Sequence, residues 1–70
     1  MKLWIARNGY GQLYLFKKEP VCDYTIGEFF PSEEDSAMIN LTDKGFDVFP
    51  DLEFDDSPIE VELKAIEDIY

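Results

Sequence analysis

The side chains best suited to chemistry in this sequence are carboxylates crowded into its second half. Closely spaced carboxylates bind Ca²⁺ or Mg²⁺, and a pair of them in a cleft performs acid–base catalysis. The cluster comprises Asp43, Asp47, Asp51, Glu53, Asp55 and Asp56. An EF-hand needs ligands at alternate positions and glycine at the sixth, whereas Lys44, Gly45 and Phe46 follow Asp43. The spacing therefore indicates aggregate charge rather than a metal site.

The sequence contains few side chains suited to other catalytic mechanisms. The chain has no histidine, which removes the commonest general base, the commonest zinc ligand and any Ser-His or Cys-His pair. Cys22 lies between Val21 and Asp23, with no neighbouring cation to stabilise a thiolate, so we expect an inert cysteine. We expect no enzyme and no cofactor. The alternative hypothesis is a carboxylate-based divalent-metal-binding or enzymatic domain built from residues 43–56.

The distribution of charge points to a kind of partner. Six Lys and Arg face sixteen Asp and Glu, a net charge of −10. Residues 1–30 hold four cations and three acids, whereas residues 31–70 hold two cations and thirteen acids. Nucleic acids and anionic membranes attract cations, so we expect neither as a direct partner. A basic protein partner fits the charge. The candidate interaction residues, called the acidic surface below, are Asp43, Asp47, Asp51, Glu53, Asp55, Asp56, Glu60 and Glu62.

The first half of the chain has the alternating pattern of a β-hairpin. Residues 2–7 and 12–17 alternate in period two, which predicts two strands. Asn8 and Gly9 supply the positive φ angles of a tight turn, and Gly11 suits a left-handed bulge position. Both faces of this hairpin are apolar, which predicts a central place in the sheet. Its aromatic side chains are expected in the core rather than on a base-stacking platform, which needs a basic groove.

The middle of the chain predicts short strands separated by turns. Residues 21–26 are rich in β-branched side chains, and residues 38–42 alternate well enough for a further strand. Residues 32–35 resemble the start of a helix, although we favour a turn there. Residues 43–45 are a turn signal, and residues 46–52 predict a compact connection with a 3₁₀ or irregular turn.

The C-terminal segment supports two alternatives. Residues 59–63 alternate between apolar and charged side chains, which predicts a half-buried strand with Leu63 on its inner face. Ser57 followed by Pro58 is also a helix start, and Ile66 and Tyr70 continue a helical spacing. The strand is favoured for residues 59–63, because a helix would turn Val61 away from the apolar stripe. Strand or helix stays open over residues 58–70.

Together these segments predict a mainly β fold in one small domain over residues 1–70. The expected form is a curled antiparallel sheet or partly open barrel of four to five strands, opening with the hairpin. The alternative is an α+β fold with a C-terminal helix. A chain of 70 residues buries only about 60% of its unfolded surface, so its net stability is expected to be a few kcal/mol.

The setting of the protein is predicted by what the sequence lacks. One cysteine cannot form an internal disulfide, which favours a reducing compartment. The apolar run at the N-terminus is shorter than a signal peptide or a membrane span requires. These features predict a cytoplasmic protein, and none of them specifies an oligomeric state.

The two ends of the chain resemble a known group of proteins. Residues 1–7, 13–16 and 49–50, and the run from Ser57 to Leu63, are similar to short uncharacterised proteins of gut bacteria and their phages. The resemblance implies a cytoplasmic protein of mobile-element origin with an extended Val61–Leu63 segment. It brings no established activity. It adds weight to the main functional hypothesis, which is a non-catalytic interaction module, in sharper form a phage-related inhibitor or a nucleic-acid mimic.

Overall fold

The fold is an open antiparallel sheet with a small second sheet packed on one face. The structure is a computed structural model that describes residues 1–33 and 37–64. In chain order the elements are β1 (Lys2–Arg7), β2 (Leu13–Phe16), β3 (Val21–Asp23), β4 (Glu28–Phe30), β5 (Met38–Asn40), a 3₁₀ helix (Phe54–Asp56) and β6 (Ile59–Glu62). The main sheet has the order β5-β2-β1-β6, and β3 pairs with β4 in a separate sheet. The prediction of a mainly β fold is confirmed.

The opening hairpin is confirmed, and it lies at the centre of the main sheet. Strands β1 and β2 pair in antiparallel register, with Trp4 opposite Phe16 and Arg7 opposite Leu13. The described strands number six rather than four to five, and neither sheet closes into a barrel. The large apolar groups on both faces of the hairpin suit this place, because the middle strands of a sheet are flanked by neighbours and are readily covered on both faces.

The turn of this hairpin differs from the prediction. Among the described residues only glycines have positive φ, and Gly9 is not one of them. The loop instead has a hydrogen bond from the Gly11 N–H to the Asn8 carbonyl at 3.0 Å, and Gly11 has φ +93°. The buried Asn8 side chain accepts hydrogen bonds from the Tyr10 and Gln12 N–H groups, both at 3.0 Å. The positive-φ Asn-Gly turn is thus wrong, and the left-handed Gly11 is confirmed, as in three-residue hairpin loops.

The core lies between the main sheet and the β3–β4 hairpin. Ala6 and Phe16 are fully buried on one face of the main sheet, and Phe29 of β4 is 3% exposed against them. Aromatic and sulfur-containing side chains pack around this centre: Trp4, Tyr14, Cys22 and Phe54. Trp4, Tyr14 and Phe16 therefore lie in or against the core, as predicted.

A close backbone contact joins the turns of the two hairpins. The Gly9 N–H donates to the Gly27 carbonyl at 2.6 Å. A Cβ on Gly9 would lie 3.2 Å from that carbonyl oxygen, and Gly27 has φ +69°. Both positions favour glycine, one for the close approach of the backbones and the other for its left-handed conformation.

The middle segment follows most of its prediction. Strands β3 and β5 lie within the predicted ranges 21–26 and 38–42, and the Asp43–Gly45 turn is closed by a hydrogen bond from the Gly45 N–H to the Thr42 carbonyl at 3.0 Å. The 3₁₀ helix begins at Phe54, after the connection in which it was expected. The helix start considered over residues 32–35 extends beyond the described residues.

The C-terminal segment is a strand over Ile59–Glu62, which confirms the favoured alternative there. Because Ile59, directly after Pro58, begins this strand rather than a helical turn, the helix start at Ser57 is wrong. Leu63 is 60% exposed because it lies past the end of β6, which corrects its predicted inward position. The helical alternative over residues 65–70, with Ile66 and Tyr70, lies outside the described residues.

Candidate functional site

The acidic surface occupies three consecutive parts of the chain. Asp43 lies in the turn after β5, Asp47 to Asp56 span the connection and the 3₁₀ helix, and Glu60 and Glu62 lie on β6. All eight residues are exposed. Exposed carboxylates keep their solvation, so these side chains are charges in contact with water rather than buried groups.

Arg7 holds the acidic connection against the sheet. Strand alternation places the Arg7 side chain on the same face as Leu3 and Ile5, opposite the face that carries the core. Its Nε donates to the carbonyl of Leu52 at 2.5 Å, and its Nη2 donates to the carbonyl of Phe49 at 2.8 Å. The side chain is only 11% exposed. The guanidinium group therefore bonds the connection to the C-terminal end of β1.

The same guanidinium also reaches the hairpin turn and one member of the acidic surface. Arg7 Nη1 donates to the Gly11 carbonyl at 2.6 Å, and Nη2 forms an ion pair with Asp47 Oδ1 at 2.6 Å. Asp47 is thus a structural partner, although its side chain remains 47% exposed. Sequence reasoning did not include Arg7 in the site. One signal in the sequence could have identified it. Arg7 alternates with Leu3 and Ile5, and a guanidinium on such an apolar face requires several hydrogen-bond acceptors from other parts of the chain.

Ser57 connects the 3₁₀ helix to β1. The Arg7 N–H donates to Ser57 Oγ at 3.0 Å, and the Ser57 hydroxyl donates to the Glu53 carbonyl at 2.9 Å. Phe54, within the helix, packs on Phe29 with ring centroids 5.5 Å apart. These contacts set the position of the helix, which keeps Asp55 and Asp56 on the surface.

A groove of about 410 Å³ brings part of the acidic surface together with apolar side chains. It is lined by Val48, Phe49, Pro50, Asp51, Leu52, Asp56 and Ile59. Asp51 and Asp56 are the only predicted site residues in it. Such a groove matches a lysine or arginine side chain, whose aliphatic stem buries apolar area while its charged head meets a carboxylate. The apolar lining was missed because it comes from positions 48–59 that carry no functional motif.

The acidic side chains of β6 lie on the opposite face of the main sheet from the groove. Ile59 lines the groove, and Glu60 and Glu62 alternate with Ile59 and Val61 along the strand. Glu62 lies opposite Lys2 in the register and also forms an exposed ion pair with Lys64 at 3.4 Å. The acidic surface is therefore divided between two sides of the sheet rather than forming one continuous face.

The described residues hold no cluster suited to a metal ion. Within residues 1–33 and 37–64, no three acidic or cysteine side chains converge closely enough to ligate one. The carboxylates of the acidic surface lie instead along an exposed connection, in the 3₁₀ helix and on one face of β6.

Cys22 lies half-buried on β3 and packs against the core. Burial raises the pKa of its thiol, the charge of Asp23 raises this pKa further, and a hydrogen bond with Tyr24 opposes both effects. A raised pKa disfavours the thiolate, which is the nucleophilic form.

Alkylation of Cys22 by iodoacetamide is expected to be slower in the folded protein than in urea at the same mildly alkaline pH. The rate should reach half its maximum at a higher pH in the folded protein, because the folded thiol has the higher pKa. The linked stabilisation is present below the pKa of the unfolded thiol and is lost as pH rises through the folded pKa. Equal rate profiles for the folded and unfolded chains would contradict this assignment.

Comparison with known proteins identified no relative of this chain. No protein-family model, curated protein or solved structure matches the chain. The resemblance to short proteins of gut bacteria and their phages stays a prediction. In the part of the chain that the structure describes, no helix is both long and apolar enough to span a membrane.

Proposed function

We propose that this chain is a non-catalytic interaction module that binds a basic partner protein through its acidic surface. The observation that carries the proposal is the groove in which the carboxylates of Asp51 and Asp56 border apolar side chains. A cationic side chain of the partner would place its methylene groups against Phe49 and Leu52 and its charged head beside the carboxylates. The groove thus offers a lysine or arginine two kinds of contact at once.

The overall charge supports the same class of partner. A net charge of −10 attracts a basic protein over several ångströms and repels an acidic one. Such attraction mainly raises the association rate and weakens with ionic strength, since the Debye length is about 8 Å at physiological salt. Charge therefore selects the partner, and the groove supplies the local contacts.

Preorganisation by Arg7 supports binding at this groove in particular. The Arg7 guanidinium donates hydrogen bonds to the backbone carbonyls of Leu52, Phe49 and Gly11. Two of these residues line the groove. A loop that is already held in place loses less conformational entropy on binding. Arg7 is a positioning residue for the proposed interaction.

A sharper version of the proposal is a nucleic-acid mimic, such as a phage-related inhibitor that occupies a basic groove of its target. Glu60 and Glu62 lie about 6–7 Å apart along β6, by the rise of two residues, which suits the spacing of phosphates. The division of the acidic surface between two sides of the sheet favours local pairing with individual cationic side chains over imitation of a long backbone. The proposed cytoplasmic location is compatible with either form.

The groove is testable with a capped hexalysine peptide titrated into the isotopically labelled protein at physiological salt. Replacing both groove carboxylates, as Asp51→Asn with Asp56→Asn, is expected to weaken binding about five- to tenfold. Each exposed ion pair contributes up to about 1 kcal/mol, and about 1.4 kcal/mol corresponds to a tenfold change in Kd. Amide chemical shifts of residues 48–59 in the parent protein should report the bound peptide.

The matched control is Glu19→Gln with Glu28→Gln, which removes the same total charge outside the acidic surface. This control is expected to change Kd less than about twofold, because only long-range attraction is reduced. Equal weakening by both pairs would reduce the interaction to nonspecific attraction. Saturating shifts in residues 43–56 on adding micromolar Ca²⁺ alone would instead favour the alternative, a carboxylate-based metal site.

A further inference from the structure

The two edges of the main sheet differ in their protection against further pairing. Strand β6 forms one edge and carries Glu60 and Glu62, with Pro58 just before it. Charged residues and proline are the usual means by which an edge strand avoids pairing with another chain. Strand β5 forms the other edge, and none of its three residues is charged.

The hydrogen bonds of β5 determine which of its backbone groups face outward. The Lys17 N–H donates to the Ala37 carbonyl at 3.2 Å, and the Leu41 N–H donates to the Leu13 carbonyl at 2.8 Å. Because hydrogen-bonded pairs alternate along antiparallel strands, residues 37, 39 and 41 bond toward β2. The N–H and C=O groups of residues 38 and 40 then face away from the sheet. Within residues 1–33 and 37–64, no strand pairs with that side.

An apolar groove of about 240 Å³ lies beside this edge. It is lined by Met1, Leu3, Leu15, Lys17, Ala37 and Ile39. The lining contains no carboxylate although the whole chain has a net charge of −10. Lys17 forms no ion pair with any of the described residues. The lining of this groove is therefore apolar with one cation, unlike the groove that contains Asp51 and Asp56.

We propose that β5 accepts an extended segment of another protein as an added antiparallel strand. The segment would carry an apolar side chain opposite Ile39 and a carboxylate opposite Ala37, two residues further along its chain. Strands in a sheet lie about 4.8 Å apart, and alternate side chains share a face, so both side chains would lie on the groove side. The small Ala37 side chain lets Lys17 reach across to the carboxylate. This surface is independent of the acidic surface. Its partner segment carries a negative charge, whereas the partner proposed for the acidic surface is basic.

A second copy of the chain is a poorer occupant of the same edge. Self-pairing would bring together two chains that each carry −10, and it would place no carboxylate of β5 near Lys17. Like charges brought close together oppose association. The single carboxylate of the segment therefore follows from Lys17 in the groove, and the charge of the whole chain disfavours a second copy as the occupant.

The test uses a capped seven-residue peptide in which threonine alternates with valine and the last valine is replaced by glutamate. Titration into the labelled full chain is expected to shift the amides of Met38 to Asn40 and Lys17, and to slow hydrogen exchange at positions 38 and 40. A peptide with lysine in place of glutamate is expected to bind about fivefold more weakly. In the Lys17→Glu variant this preference should reverse, as a direct ion pair requires.

Two proline variants separate strand addition from other modes of binding. Met38→Pro removes an outward N–H of β5 and leaves the hydrogen bonds to β2 in place, so the peptide should no longer bind. The matched control Glu62→Pro removes the corresponding outward N–H of β6 and should bind as the parent does. If Met38→Pro perturbs the β1 and β2 amides, the Lys17→Glu reversal remains the test of the peptide's placement.

Three results would overturn the proposal. One is the absence of a saturable shift up to the solubility limit of the peptide. Another is a set of shifts confined to β6 or to the groove that contains Asp51. The third is concentration-dependent dimerisation of the parent chain, measured by sedimentation, that Met38→Pro abolishes, because the occupant would then be a second copy.

Discussion

Replacing Phe16 by alanine is expected to lower the free energy of unfolding by about 3–5 kcal/mol, as for other large aromatic residues removed from a core. Phe16 is fully buried and lies where the main sheet meets the β3–β4 hairpin, against Phe29. A chain of 70 residues is expected to have a net stability of that same order. Phe16→Ala should therefore leave much of the protein unfolded at 25 °C, as measured by circular dichroism and urea titration.

The matched control is Phe46→Ala, because Phe46 is the same residue type at 56% exposure. Its substitution is expected to change the free energy of unfolding by less than about 0.5 kcal/mol. Phe16→Leu gives a measurable intermediate case, with an expected cost of about 1–1.5 kcal/mol for a smaller change in volume. Similar losses for Phe16→Ala and Phe46→Ala would contradict the position of the core.

Replacing Arg7 by methionine is expected to cost about 3 kcal/mol in the free energy of unfolding. The substitution keeps an unbranched side chain and removes every donor, so the carbonyl of Leu52, which Arg7 bonds in a partly buried position, loses its partner. Hydrogen bonds from charged groups contribute about 1.5–3 kcal/mol each, and bonds that share one group are not additive. Urea titration measures the loss, and faster amide hydrogen exchange over residues 47–52 should locate it.

The control for Arg7 is Lys18→Met, which removes the ion pair with Glu33. Both side chains of that pair are more than half exposed, so its loss should cost less than about 1 kcal/mol. Arg7→Lys tests the geometry of the group, since it keeps the charge without the planar set of donors. Arg7→Lys is expected to lower the free energy of unfolding by about 1–2 kcal/mol, which is more than Lys18→Met and less than Arg7→Met. Equal stability of the Arg7→Met and Lys18→Met variants would contradict the anchoring role of Arg7.

Arg7→Met also separates stability from function. If the proposed function is correct, hexalysine should bind this variant more weakly under conditions where it remains folded, although Arg7 need not touch the peptide. In the parent protein the guanidinium already orders residues 47–52. In the variant these residues would lose conformational entropy only on binding the peptide, and this loss would weaken the binding.

Several strands were accessible from sequence because their signal is local. The alternation of residues 2–7 and 13–16 follows from the period of two that every strand imposes on its side chains. The same reasoning identified Ile59–Glu62, where alternating glutamates favoured a strand over a helix. The Asn8–Gly9 turn was mistaken because Asn-Gly fits a two-residue loop, whereas the structure has a three-residue loop with its left-handed residue at Gly11.

The candidate site was accessible only in part. Asp51 and Asp56 were among the predicted acidic residues, but nothing in their spacing indicated that they share a groove with Phe49, Leu52 and Ile59. Glu60 and Glu62 were grouped with them by charge, and strand alternation then separated them onto the other side of the sheet. Net charge depends on composition, whereas the shape of a charged surface depends on which chain segments meet.

The sequence by itself determined the β-rich character, the central hairpin, the excess of negative charge and the absence of histidine chemistry. These properties depend on residue types and on neighbours a few positions away. Only the tertiary structure decided that the guanidinium of Arg7 bonds the chain near residue 50, and that β5 is the edge without charged residues. Such contacts join residues about forty positions apart, and they depend on strand order and on which face each loop covers, which no local pattern specifies.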